Sequence, residues 1–247
     1  MRRFFGILLV CVLLLAAGSN LAFAYDGPHK YGIELRGGFG MYDMGDVPMT
    51  VTSMENARAG NTSTTADAGP MGGLSLIFRP LKNGIWEVGY NAILDVENTV
   101  ESTIADTNGS ILMHANEFFM KAHLAPWIGD RINLQLGVGL SYYNVELQIQ
   151  NDFTRQYTYD AVGRCWGLTG SAGLEFLISD GLGINFQGGG RIANATHFSY
   201  EATQGVRTGL NVPGGSRPME VNLSGLYGSA GLRFYFDKVF PPVDFSR

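Results

Sequence analysis

Ile132-Asn133-Leu134-Gln135-Leu136-Gly137-Val138-Gly139-Leu140-Ser141-Tyr142 alternates without a break between an apolar residue and a polar residue or glycine. Period two is the pattern of a β-strand that keeps one greasy face. Here Ile132, Leu134, Leu136, Val138, Leu140 and Tyr142 share one side, and Asn133, Gln135, Gly137, Gly139 and Ser141 the other. A tilted strand crosses a bilayer in about 9–11 residues, so this stretch is long enough to span one.

Seven further segments fit the same template. The first, about Lys30–Met44, sets Tyr31, Ile33, Leu35, Phe39 and Met41 against Glu34 and Arg36. The second offers Leu74, Leu76 and Phe78. The third sets Trp86, Val88, Tyr90 and Leu94 against Glu87 and Asn91, and the fourth Phe118, Met120 and Leu124 against Glu117, Lys121 and His123. The sixth sets Trp166, Leu168, Leu174 and Phe176 against Thr169 and Glu175, and the seventh Leu182, Ile184, Phe186 and Ile192 against Asn185, Gln187 and Arg191. The last sets Leu226, Leu232, Phe234 and Phe236 against Arg233 and Tyr235.

The connections alternate in length. Pro80–Gly84, Pro126–Asp130 and Ser179–Gly181 are short; about Gly45–Gly69, Asn98–Asn108, Ile149–Gly163 and Glu201–Pro218 are long. Tight turns at one end and large loops at the other are what a closed membrane barrel shows. The predicted fold is therefore all-β: an eight-stranded antiparallel transmembrane up-and-down β-barrel with four long extracellular loops and three short periplasmic turns.

A water-soluble barrel also has amphipathic strands, but turned inside out. The charges decide between the two. Glu34, Glu87, Glu117 and Glu175 lie on the polar face with Arg36, Lys121, Arg191 and Arg233, four acids against four bases, while the apolar face is almost free of charge. A solvated face needs no such balance; a narrow lumen does, because an isolated buried charge is very costly. These eight residues are predicted to form a lumen network, with Arg233 brought to Glu34 and Arg36 by closure, and Glu87 brought towards Lys121.

Composition agrees. Charged residues are 16%, below the roughly 25% of soluble domains, aromatics 12%, and glycines number 34. Met1–Arg3 is basic, Phe4–Ala17 apolar, and Ala22-Phe23-Ala24 offers a small-x-small cleavage pattern, so residues 1–24 are expected to be a cleaved signal peptide, 25–237 the barrel and 238–247 a short periplasmic tail. Loss of Arg2 and Arg3 takes the formal net charge from −5 to −7, which disfavours nucleic-acid binding. Cys165 is then the lone cysteine, and no internal disulfide is available. The expected location is the bacterial outer membrane with both termini periplasmic.

Ser229-Ala230-Gly231-Leu232-Arg233-Phe234-Tyr235-Phe236 is similar to the polar-x-Gly-x-x-aromatic-x-aromatic segment that the outer-membrane assembly machinery reads. With the leader and eight strands, the chain resembles the OmpA/OmpX-type family of small outer-membrane barrels over about Lys30–Asp237. The resemblance implies an assembly signal at Ser229, Gly231, Phe234 and Phe236, contact with outer-membrane lipid and lipopolysaccharide, and a structural or surface-interaction role, with any extracellular ligand met by the long loops. An eight-stranded barrel is just wide enough for its own side chains, which leaves a narrow channel for small solutes as a further alternative.

One stretch points to chemistry. His197, Ser199 and Glu201 share one face of the seventh strand near its rim, the constituents of a hydrolase triad, and the His-x-Ser spacing resembles that of the outer-membrane lipid A deacylases. The face is expected to be lumenal, and polar rim residues are the plainer reading. Asp95, Glu97, Glu101 and Asp106 cluster at the second long loop, where Ca²⁺ or simple solvation would account for them; the four histidines are scattered, and no cofactor or metal is implied. Arg58, Arg155, Arg164, Arg207 and Arg217 stand in or beside the loops, and the Ser- and Thr-rich stretch Asn61–Gly69 is expected to be mobile.

Overall fold

The computed structural model describes residues 29–56, 61–102, 108–151, 157–202, 206–212 and 216–236. The expected signal peptide and tail, with Arg58, Asp106 and Arg155, lie outside the described residues, as do the side chains of Glu201 and Arg207.

Eight long strands make the wall: β1 (Tyr31–Met41), β2 (Ala68–Leu81), β3 (Gly84–Ser102), β4 (Asn108–Leu124), β5 (Ile132–Asn151), β6 (Tyr157–Ser179), β7 (Leu182–Ala202) and β8 (Gly225–Phe236). Each pairs antiparallel with its neighbours in sequence. β1 then pairs with β8 from Tyr31↔Phe236 to Gly40↔Tyr227, which closes the ring and removes its edges. The Gly188–Gly190 run lies within β7 and stays paired with β8. It admits the Tyr227 ring to the interior, since a Cβ on Gly189 would lie 2.9 Å from that ring.

The wall rises farther on the long-loop side than the sequence suggests. β3 and β4 stay paired to Glu101↔Asn108, and β5 and β6 to Asn151↔Tyr157, so most of the expected loops Asn98–Asn108 and Ile149–Gly163 is strand. The reason is an inversion of the alternation. In the lower part of β5, Leu136, Val138 and Leu140 point outward; above Tyr143, it is Val145, Leu147 and Ile149 that point inward and are buried. On β4 the inward set becomes Ile111, Met113 and Ala115. A register shift between Ile93 and Val96 does the same for Val96 and Val100 of β3. The barrel thus has a polar interior at the short-turn end and an apolar core at the other.

An α-helix, α1 (Val47–Glu55), is part of that apolar core, inside what the sequence presents as the first long loop. Val47, Val51 and Met54 recur on one helical face and are buried with Tyr42, Met44, Met219, Val221 and Leu223. Its β-branched residues hide the helix in the sequence. Just before it, Asp46 accepts two bonds from Arg217 at 2.8 and 2.6 Å and one from the Glu220 backbone N–H at 2.9 Å. These bonds, Arg217's side-chain bonds first, hold the Asp46 carboxyl below its ordinary pKa of 3.8. Within the stretch Asn61–Gly69, Asn61–Thr64 pairs with Thr99–Ser102.

Candidate functional site: a buried charge network and an outward cleft

The polar interior is built by odd and even positions that the pleat turns inward together. β1 and β8 set Glu34 opposite Arg233. The Arg233 guanidinium bonds Glu34 through Nε, lies 3.3 Å from Glu175, and donates to Gln135 Oε1 at 3.2 Å. Glu175 also accepts from Gln135 at 3.2 Å and from the Tyr235 hydroxyl. Arg36 bridges Glu34, 3.4 Å away, to Glu87, and donates to Ser75 Oγ at 2.6 Å.

A second cluster lies nearer the apolar core. Glu117 accepts from Ser141 at 2.8 Å, Tyr143 at 2.7 Å and Asn91 at 2.8 Å, with Arg191 at 3.9 Å. Arg191 lies over the rings of Tyr227 and Tyr42, 4.8 and 5.3 Å from their centroids.

All eight side chains predicted for the interior are buried there. One pairing differs. Glu87 and Lys121 are register partners, yet Glu87 binds Arg36 and, at 3.0 Å, His123. Lys121 instead stands 4.6 Å from the Phe119 ring and 3.4 Å from Gln187 Oε1 and the Tyr227 hydroxyl. Arg79, fully buried, is an interior base that the sequence reading missed; it lies 3.5 Å from Glu175 and 4.8 Å from the Trp127 ring. The Pro80 turn beside it obscured the period, but Ile77 and Arg79 continue the inward phase of β2. Among the described residues five buried bases therefore face four buried glutamates.

The candidate catalytic residues lie elsewhere than expected. In the β6–β7 pair, Thr196 opposes Arg164 and Ser199 opposes Val162, so His197 and Phe198 together oppose Gly163. This bulge, with His197 at φ 61°, turns Phe198 into the core and leaves His197 exposed. The lumenal placement of His197 and Ser199 is thereby corrected: both line a cleft of about 490 Å³ with Asp160, Val162, Gly163, Arg164, Thr196 and Tyr200. His197 Nδ1 is 2.8 Å from the Thr196 hydroxyl rather than bonded to Ser199. Arg164 Nε donates to Asn144 Oδ1 at 3.2 Å, and Asp160 Oδ1 accepts from Gln148 at 3.1 Å.

Below the cleft, the outer wall carries a continuous row of register partners, Tyr90, Phe118, Tyr142 and Trp166. Neighbouring rings are 5.2 Å apart for Tyr90–Phe118 and 5.1 Å for Tyr142–Trp166. Glu97 and Glu101 line a separate cleft of about 330 Å³ with Ser110 and Gln150. No three His, Cys, Asp or Glu side chains converge as metal ligands among the described residues.

No family model matches the chain, and no curated protein sequence matches it. Among solved structures it is similar to a major outer membrane protein from Thermus thermophilus, with a TM-score of 0.51 and 12% identity over 84% of this chain and 100% of that one. It is similar also to the outer membrane protein OprG from Pseudomonas aeruginosa, with a TM-score of 0.48 and 15% identity over 85% and 98% of the two chains. Neisserial surface protein A gives 0.44 and 12% over 85% and 99%. At such identities the likeness is one of fold. The chain has the barrel architecture of small outer-membrane proteins, as the resemblance to OmpA/OmpX-type barrels implies.

Proposed function

We propose that this chain is an integral outer-membrane barrel, closed to solutes by its own side chains, with a structural or surface-interaction role. The observation that carries this is the outer wall. Val138 and Ile192 are 72% exposed, Leu226 65%, Leu168 62%, and Leu35 and Leu76 61%, all on a face nearly free of charge. Apolar exposure of this extent around a closed wall calls for hydrocarbon as the solvent. The buried charge network and the apolar core above it favour a filled lumen over a channel.

In this reading the short turns and both termini are periplasmic, the long hairpins and α1 lie outside, and the surrounding partners are outer-membrane lipid and lipopolysaccharide. The assembly machinery would read Ser229, Gly231, Phe234 and Phe236 of β8. The protein should fractionate with outer membranes and migrate faster in a gel before boiling than after; solubility without detergent and no heat-dependent shift would overturn the reading. In planar bilayers it should show no sustained conductance, and steady single-channel steps would favour the solute channel.

A second reading, lipid A ester hydrolysis, draws on the cleft that His197 and Ser199 share with Asp160 on the outer side of the wall. What stands against it is that the imidazole contact in the cleft is between Nδ1 and the Thr196 hydroxyl, with no hydrogen bond joining His197 to Ser199 among the described residues. Mass spectrometry of lipid A with and without expression of the protein separates the two. Acyl loss that disappears in Ser199→Ala would establish the hydrolase.

A further inference from the structure

We propose that the cleft at the β7 bulge binds the phosphoethanolamine-type headgroup of a lipid whose acyl chains lie on the wall beneath it. This rests on the reading of that wall as lipid-facing.

Three observations converge. The first is position: Arg164 stands two residues above Trp166 on the same outward face of β6, and below Trp166 come Leu168 and its register partner Ile192. A lipid with its headgroup in the cleft therefore lays its chains on the most exposed apolar part of the wall. The second is orientation. Arg164 is tethered through Nε to Asn144, which leaves both terminal nitrogens for a phosphate. His197, turned outward by the bulge, keeps Nε2 for the same group while Nδ1 faces Thr196.

The third is charge. Among the described residues the cleft holds one guanidinium and one carboxylate, Asp160, whose Oδ1 is taken by Gln148 and whose Oδ2 can accept from an ammonium. Such a site complements a headgroup that carries a phosphate and an amine together. A purely anionic headgroup would meet the Asp160 charge unpaired, and a choline headgroup has no N–H to give it.

Native mass spectrometry of the full protein, released from micelles containing equal phosphatidylethanolamine, phosphatidylglycerol and phosphatidylcholine, tests this. The wild type should retain phosphatidylethanolamine over the other two. Arg164→Ala should lower that retention about tenfold, the effect of losing one charge-assisted bond, and Asp160→Asn should erase the preference over phosphatidylglycerol. Both substitutions are at exposed positions, and the heat-dependent gel shift of each sample verifies the fold. Equal retention of the three lipids, or variants that bind like the wild type, overturns the cleft as a headgroup site while the shift upholds the barrel. Loss of the shift from the wild type itself overturns the barrel reading, and this inference with it.

Discussion

Arg233 and Lys121 are both buried cations of the interior, yet their substitutions should differ sharply. Arg233 is shared by Glu34 and Glu175, so Arg233→Ala takes a close cation from two buried carboxylates at once and leaves them only Arg36 at 3.4 Å and Arg79 at 3.5 Å. Removing one partner of a buried pair costs about 3–5 kcal/mol, and denaturant titration in micelles should show a loss of that order; an unchanged midpoint would mean that the network does not stabilise the barrel. Lys121 binds amide and hydroxyl oxygens and a ring, and belongs to an interior where bases outnumber glutamates. Lys121→Met keeps most of the volume and removes the surplus charge, so its effect should stay within about 1 kcal/mol or be stabilising. His197 poses the same kind of contrast in the backbone. At φ 61° a side chain costs roughly 1–2 kcal/mol that glycine avoids. His197→Gly should hold or raise the melting temperature and His197→Val lower it; a loss in the glycine variant as well would show that the imidazole, through Thr196, stabilises the bulge.

Among the elements, those whose pattern keeps one phase were legible in the sequence. β5 up to Tyr142, β1 and β8 could be read from alternation alone, and closure then brought Arg233 to Glu34. What could not be read depends on where phase changes. The bulge at His197 turns two neighbours outward against expectation, the bulge between Ile93 and Val96 resets β3, and α1 carries an apolar stripe short enough to pass for a loop. The clasp on α1 joins Asp46 to Arg217, distant in sequence, and only the fold brings them together. Because the folded-state pKa of Asp46 is lowered, the clasp contributes fully above the ordinary 3.8 and is lost as pH falls through the lower folded value. Hydrogen exchange over Val47–Glu55 should therefore stay slow from neutral pH to about pH 4 and quicken only below that. Asp46→Asn should quicken it at neutral pH. Unchanged protection in that variant would assign α1's attachment to Val47, Val51 and Met54 alone.

At the scale of the whole molecule, the inversion of the two interiors sets where hydrocarbon ends, and one strand is enough to test it. On β5, Val138 points outward below the aromatic row, Leu147 points inward above it at 1% exposure, and Gln148 points outward above it. An arginine at the middle of a lipid-facing wall costs about 2–4 kcal/mol, whereas near the water it costs little. In urea titrations of folding into phospholipid vesicles, Val138→Arg should lose about that amount and Gln148→Arg almost nothing. Leu147→Arg should disrupt the apolar core and speed exchange across α1, yet leave the lower wall embedded, because the Glu34, Arg233 and Glu175 cluster at the short-turn end shares no bond with that core among the described residues. A barrel that stood in water would give a different order: Val138→Arg would be harmless or would improve solubility, while Leu147→Arg would still be damaging. The two substitutions together thus separate a wall that faces lipid from one that is merely apolar, and the position at which arginine becomes tolerated along β5 locates the membrane surface on the strand.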